Sequence, residues 1–294
     1  MFNVEVFEVE DMKVLVLGAT GYIGGVLVER LIERGHEVAA LVRPSADGSR
    51  RVPGAADERH GDLADPASVA AALTADVDAV VHAAELTGDR ETDLASVGAL
   101  AASGKRVTYV SGVWVLGEVD GGDEESPADP VPLVAYRDQV ERLVLDGGGA
   151  VVRPGVVHGR GGGIPALLRE QAARRDKGVY VTAGGVPAWT AVHVDDLADL
   201  LVAVVEKGEA RIYHAIAEEG VPVDAVAEAA GVAAGVGAVA EPWPLAEAAG
   251  VLGEGFAQAL ALSQRIGASR TRAALGWNPG RAGIVADLAE GSYA

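Results

Sequence analysis

The sequence predicts an α/β fold, a doubly wound parallel sheet followed by a smaller, mostly helical C-terminal lobe. Three observations predict it. Short apolar runs alternate with helical patterns from Lys13 to about residue 157. A glycine-rich turn, Gly18-Ala19-Thr20-Gly21-Tyr22-Ile23-Gly24, joins the first run to the first helical pattern. Beyond Gly159 the alternation loosens into short helical segments punctuated by Gly and Pro.

Each element has a local reason. Residues 13–17 (KVLVL) read as a strand buried on both faces, since everything after the lysine is apolar. Ile23, Val26, Leu27 and Leu31 recur at helical spacing, and Gly35 stops that helix. A second strand covers 37–42, and a third precedes Gly61-Asp62-Leu63. Asp65 is the N-cap of a helix over 67–73, with Pro66 at its first position. Strands follow at 78–83, 106–111 and 150–157, with helices at 92–103 and 133–145 between them. A helix at 164–175, a helix within 192–207 that starts on Asp195-Asp196, and a late strand at 211–217 complete the pattern. Residues 12–160 with 186–217 are therefore expected to build the sheet domain. Residues 161–185 with 218–294 are expected to build the smaller lobe, with a substrate cleft between the two. Residues 1–11 read as an extension, with a small edge strand through Val4 and Val6 as the alternative.

Composition excludes several functions. The 294 residues hold 24 Lys and Arg against 43 Asp and Glu, a net charge of −19, and no Cys. There is thus no disulfide framework, thiolate zinc site or cysteine nucleophile, which suits a reducing cytoplasm. The negative charge repels nucleic-acid phosphates. The longest stretch free of Asp, Glu, Lys and Arg, 178–194, contains Gly184, Gly185 and Pro187, so no membrane span is expected. No signal peptide pattern opens the chain. The expected partner is a small molecule.

The glycine turn has a physical reading. Gly18 permits a tight turn, Gly21 lets the backbone approach a pyrophosphate, and Gly24 lets the helix pack on the sheet. The amides at the helix start attract phosphate. After the second strand, where an acidic residue would accept from a ribose hydroxyl, this chain has Arg43. An arginine there favours a 2′-phosphate, hence NADP rather than NAD, with Arg50 and Arg51 nearby. Asp62 can accept from an adenine amino group.

Taken in order, GATGYIGG (18–25), LVRP (41–44), GDL (61–63), VVHAA (80–84), VVRPGVVHGRGGG (151–163), WTAVHVDDLADL (189–200) and LGWNP (275–279) carry a resemblance. They resemble the extended short-chain dehydrogenase/reductase superfamily, in its NAD-dependent epimerase/dehydratase branch. The resemblance implies a Rossmann sheet and cofactor contacts at Gly18, Thr20, Gly21, Tyr22, Ile23 and Gly24. It implies Arg43 at the adenosine phosphate, Asp62 and Leu63 at the adenine, and Ala83 and Ala84 along the cofactor. Pro154, Gly155 and Val156 would meet the nicotinamide end. It also implies a homodimer through two long helices of the sheet layer.

The chain departs from that family at the chemistry. Members that reduce or oxidise a carbonyl use a Tyr, a Lys four residues later, and a Ser or Thr at a strand end. No Tyr here has a Lys at that spacing. Aligned on Pro132 and Glu141, Leu133 takes the tyrosine position and Arg137 the lysine position. Gly112 falls where the serine would be, with Ser111 one residue earlier. Two readings follow. In one, a rearranged set works: Tyr136 as proton donor, Arg137 as permanent cation, and Ser111 or His193 as orienting partner. In the other, the protein is a catalytically retired NADP-binding sensor or regulatory protein. The polar and aromatic residues Trp114, Arg153, His158, Arg160 and Trp189, expected at the cleft, favour the first. No metal is expected, because His193 with Asp195 and Asp196 lacks a second His at ligand spacing.

Overall fold

The computed structural model describes residues 11–44 and 51–294; Arg50 and the expected extension up to residue 10 lie outside them. The chain opens with β1 (Lys13–Leu17), α1 (Tyr22–Glu33), β2 (Glu37–Val42), β3 (Asp57–His60), α2 (Pro66–Ala71), β4 (Ala79–His82), α3 (Arg90–Ala101) and β5 (Arg106–Val110). It continues with β6 (Val119–Gly122), α4 (Arg137–Asp146), β7 (Ala150–Pro154), β8 (Val156–His158), α5 (Gly163–Arg175), β9 (Gly178–Thr182), β10 (Ala188–His193), α6 (Val194–Lys207) and β11 (Ile212–Ala215). The last part holds β12 (Glu218–Pro222), α7 (Val223–Ala233), β13 (Ala240–Pro244), α8 (Leu245–Leu252), α9 (Glu254–Leu260), β14 (Gln264–Ile266), α10 (Ser269–Leu275) and α11 (Ile284–Glu290).

Seven strands form one parallel sheet in the order β11-β7-β5-β4-β1-β2-β3. The fold is a Rossmann-type doubly wound sheet. Period-two alternation between two covered faces explains why β1 is apolar after Lys13. Val14 and Val16 pack with Leu27 and Leu31 of α1 and Leu197 and Leu201 of α6. Leu15 and Leu17 point the other way, to Val69 of α2, Leu100 of α3 and Val140 of α4. The strand order reverses between β1 and β4, which opens a crevice at their carboxyl ends.

Two elements differ from expectation. The strand expected over 150–157 breaks at Gly155. β7 stays in the large sheet, while β8 joins β10 and β12 in a three-stranded sheet. A Cβ on Gly155 would lie 2.6 Å from the Thr190 carbonyl oxygen, so the crossing needs glycine. The helix expected over 133–145 starts at Arg137. Pro132–Val134 forms a short 3-10 turn before it, and Tyr136 is its N-cap, with φ −110° and ψ 7° off the helical path. A second core gathers Trp189, Val226, Trp243 and Leu288 with α5, α7 and α11. The short strands of this lobe, three to six residues each, pair in small sheets. No helix among the described residues is long and apolar enough to cross a membrane.

His82 ends β4 inside the core, edge-on to Tyr109 with ring centroids 5.3 Å apart. Neither ring nitrogen has a hydrogen-bond partner. Burial therefore lowers its pKa to about 4. The unfolded chain binds this proton near pH 6.5 and the folded chain does not, so stability is full above that pH and falls between 6.5 and 4. The loss from this one group is about 3 kcal/mol. Urea unfolding at pH 7 and pH 4.5 should show it, and a His82→Leu variant should lose that part of the slope; an unchanged slope rules the assignment out.

Candidate active site

The turn after β1 is built for close approach. Gly18 has φ +86°, and a Cβ there would meet the Ala84 amide nitrogen at 2.6 Å, where the end of β4 passes beneath. A Cβ on Gly24 would lie 2.0 Å from the Gly18 carbonyl oxygen. Both positions are therefore closed to any side chain. Asp65 and Asp89 cap α2 and α3 with their carboxylates, but Gly21, the N-cap of α1, offers no side-chain cap. The first amides of α1 are left for an external acceptor, which an anion satisfies.

Three adjoining cavities run along the crevice. The first, of about 340 Å³, is lined by Gly18, Thr20, Arg43, Asp62, Leu63 and Ala84, among others. The second, of about 350 Å³, is lined by Tyr22, Ile23, Ser111, Arg137, Pro154, Gly155 and Val156, among others. The third, of about 510 Å³, holds Trp114, Leu133, Tyr136, Arg137 and Phe256. Glu85 lines all three. Of the residues expected along the cofactor, Gly21, Gly24 and Ala83 line none of these cavities; they shape the turn and the strand end behind them.

The four expected catalytic residues have different surroundings. Arg137 is the first residue of α4 and lines two cavities. Its Nη1 lies 3.7 Å from where a Cβ on Gly112 would sit, its Nε is buried without a partner, and no carboxylate pairs with it among the described residues. Ser111 is buried and gives its proton to Glu141 Oε1 at 2.5 Å. Glu141 also accepts from Arg153, at 3.0 Å from Nε and 2.5 Å from Nη2. Tyr136 donates to Asp93 Oδ2 at 2.6 Å. Burial and that carboxylate push the Tyr136 pKa up to about 12. Asp93 is buried and held by Thr87 and the Gly88 amide.

His193 is placed elsewhere. It caps α6, its Nδ1 accepting from the Asp195 amide at 3.1 Å, and it lines none of the three cavities. Parallel pairing of β8 with β10 sets it opposite His158, ring centroids 5.1 Å apart. Asp287 stands with them, the side-chain ligand atoms all within 4.8 Å. That second histidine was invisible to spacing, because sheet register supplies it. Each group already has a partner: His158 Nδ1–H donates to Asp287 at 3.0 Å. Burial, with His158 beside it, lowers the His193 pKa.

Two other residues expected at the cleft are held by bonds within the fold. Trp189 is buried and donates to the Leu260 carbonyl. Arg160 pairs with Asp195 and Glu29. Sequence reasoning missed Glu85, Asp93, Glu141 and Phe256. The spacing of Ser111 to Glu141 carries no local signal, since the contact spans 30 residues. Glu85 was findable: it directly follows Ala83-Ala84 at the end of β4.

A parallel sheet with an anion-ready helix start at its switch point defines a dinucleotide-binding enzyme fold. The model of the NAD dependent epimerase/dehydratase family matches residues 14–217. The chain belongs to that family and is an NAD(P)-dependent enzyme of the extended short-chain dehydrogenase/reductase type. It is similar to the 3-diazoavenalumate denitrifying reductase of a Streptomyces species, 31% identical over 91% of this chain and 96% of that one. It is also similar to the 4-hydroxy-2-methyl-3-oxo-4-farnesyl-3,4-dihydroquinoline-1-oxide ketoreductase of Stigmatella aurantiaca, 30% identical over 88% and 85% of the two chains. Among solved structures it resembles the human epimerase family protein SDR39U1 with NADPH, with TM-score 0.72, 25% identity, and 96% and 99% of the chains covered.

Proposed function

We propose that this protein is an NADP-dependent reductase of a small carbonyl substrate, working with a catalytic set in which Arg137 replaces the usual lysine. The observation that carries this reading is the guanidinium of Arg137, without a carboxylate partner among the described residues, at the cavity that Pro154, Gly155 and Val156 line. Two full-length relatives are named as reductases, which favours reduction over epimerisation.

The residues fit the cofactor: the uncapped start of α1 for the diphosphate, Asp62 and Leu63 for the adenine, and Arg43 for a 2′-phosphate. When bound, the dinucleotide supplies the hydride. Arg137 holds the substrate oxygen and the negative charge that gathers on it. Because the Ser111 proton is committed to Glu141, the hydroxyl faces the cavity as an acceptor and helps orient a substrate or ribose hydroxyl. Tyr136, bonded to Asp93, anchors the start of α4 and with it Arg137. We assign it this positioning role in place of proton donation, since its pKa is raised. The proton comes from water at the exposed mouth beside Glu85. His193 is left out of the proposed set.

The cofactor part is tested by Arg43→Asp. NADPH affinity should fall about 10- to 100-fold, the worth of charge-assisted hydrogen bonds to a phosphate, while NADH affinity holds or rises, since a carboxylate there accepts from the ribose hydroxyl. Fluorescence titration with both coenzymes measures it. Equal losses for both would sink the NADP assignment. The reaction is tested by NADPH oxidation over a panel of aldehydes and ketones; coenzyme binding with no oxidation on any of them would return the protein to the sensor reading.

A further inference from the structure

We infer that the substrate is an aryl carbonyl compound, an aldehyde or ketone whose C=O is attached directly to an aromatic ring system that carries no phosphate. This rests on the reading of Arg137 as the group that grips the reacting oxygen.

Trp114 and Phe256 meet edge to face, ring centroids 6.0 Å apart at 71°. Both line the same two cavities that Arg137 lines. The ring surface and the cation therefore address neighbouring parts of one ligand, and a carbonyl conjugated to a planar ring presents both at once. Trp114 comes from the loop after β5 and Phe256 from α9, so the two lobes each contribute one aromatic wall. Leu133 and Val134 extend the apolar lining.

Charge counting excludes the phosphorylated alternative. Across these two cavities the described lining holds one cation, Arg137, and one anion, Glu85. If Arg137 takes the reacting oxygen, no cation remains for a diphosphate. A nucleotide-linked sugar would bring two further negative charges against Glu85, with no second cation in the described lining to pair them. A ligand with a single polarised oxygen satisfies Arg137 and leaves the exposed Glu85 to solvent. In the reduction a hydride from NADPH, which becomes NADP+, adds to the carbonyl carbon, the C=O pair moves to oxygen, and a proton from water completes the alcohol, with hydroxide released to solvent.

The test uses 2-naphthoate, whose carboxylate on a naphthalene ring imitates the planar oxyanion, and 2-naphthalenemethanol, its neutral counterpart. Each is titrated calorimetrically into the full chain, with and without bound NADP. The naphthoate should bind about tenfold tighter than the alcohol or more, the value of a charge-assisted contact. Arg137→Met should cancel that ratio and leave the alcohol bound as before. Phe256→Ala should weaken both by about tenfold, with the Arg137-dependent ratio kept. Millimolar UDP-glucose should displace neither. Equal binding of the two probes, a ratio unchanged in Arg137→Met, or displacement by UDP-glucose overturns the inference. The underlying reading fails separately: a protein that selects naphthoate yet oxidises NADPH on no carbonyl keeps this ligand class and loses the reductase assignment. One that reduces only aliphatic carbonyls keeps the assignment and loses the ligand class.

Discussion

Replacing Arg137 with methionine is expected to lower kcat by about 10²- to 10³-fold, the cost of removing one preorganised donor from a developing oxyanion. The affinity for NADPH should stay within about threefold, because the cavity proposed for the phosphates and adenosine, lined by Gly18 and Arg43, lies at the other end of the crevice. Methionine keeps the length and apolar bulk of the arginine stem, so the start of α4 should still pack. Arg137→Lys should recover part of the rate. An ammonium restores the charge but not the planar fork, and its shorter reach places the charge differently. Steady-state NADPH oxidation with a fluorescence titration beside it separates the two effects. A methionine variant with wild-type kcat would mean that the guanidinium does not touch the reacting oxygen.

The second large effect concerns stability. Glu141→Ala is expected to destabilise the fold by about 3–5 kcal/mol, the range for breaking a buried ion pair by removing one partner. The side chains of Glu141 and Arg153 are each 3% exposed, so the arginine left behind cannot recover water. Ser111 loses its acceptor in the same step. Ser111→Ala removes only one hydrogen bond and should cost about 1 kcal/mol. Glu141→Gln should fall between them, since the amide oxygen still accepts while the charge is gone. Urea unfolding of the three variants gives the order directly. If Glu141→Ala unfolds at the wild-type midpoint, the Glu141–Arg153 pair is not what holds β7 to α4.

The large sheet and the glycine turn at its crevice were legible in the sequence because their signals are local. Gly18, Gly21 and Gly24 sit within one turn, and β1 advertises its two buried faces by an unbroken apolar run. The substrate end was not legible in the same way. Glu141 meets Ser111 across 30 residues and Tyr136 meets Asp93 across 43, so no window of sequence contains either pair. The pairing of His158 with His193 depends on two strands entering a second sheet together. The surroundings of Tyr136 were hidden for a related reason. It sits beside the arginine in sequence, but the helix begins one residue later and the phenol turns to Asp93.

The break at Gly155 has company. β10 runs into α6 with no residue between them, and β11 reaches β12 through Ile216 and Ala217 alone. At these three places the backbone passes between the large sheet and the three-stranded sheet with little or no chain between the elements, and Ile216 is fully enclosed at one of them. Swinging one half against the other would require torsion at all three joints together. Connections this short resist such torsion, so the covalent path of the chain itself helps set how far apart the walls of the groove stand.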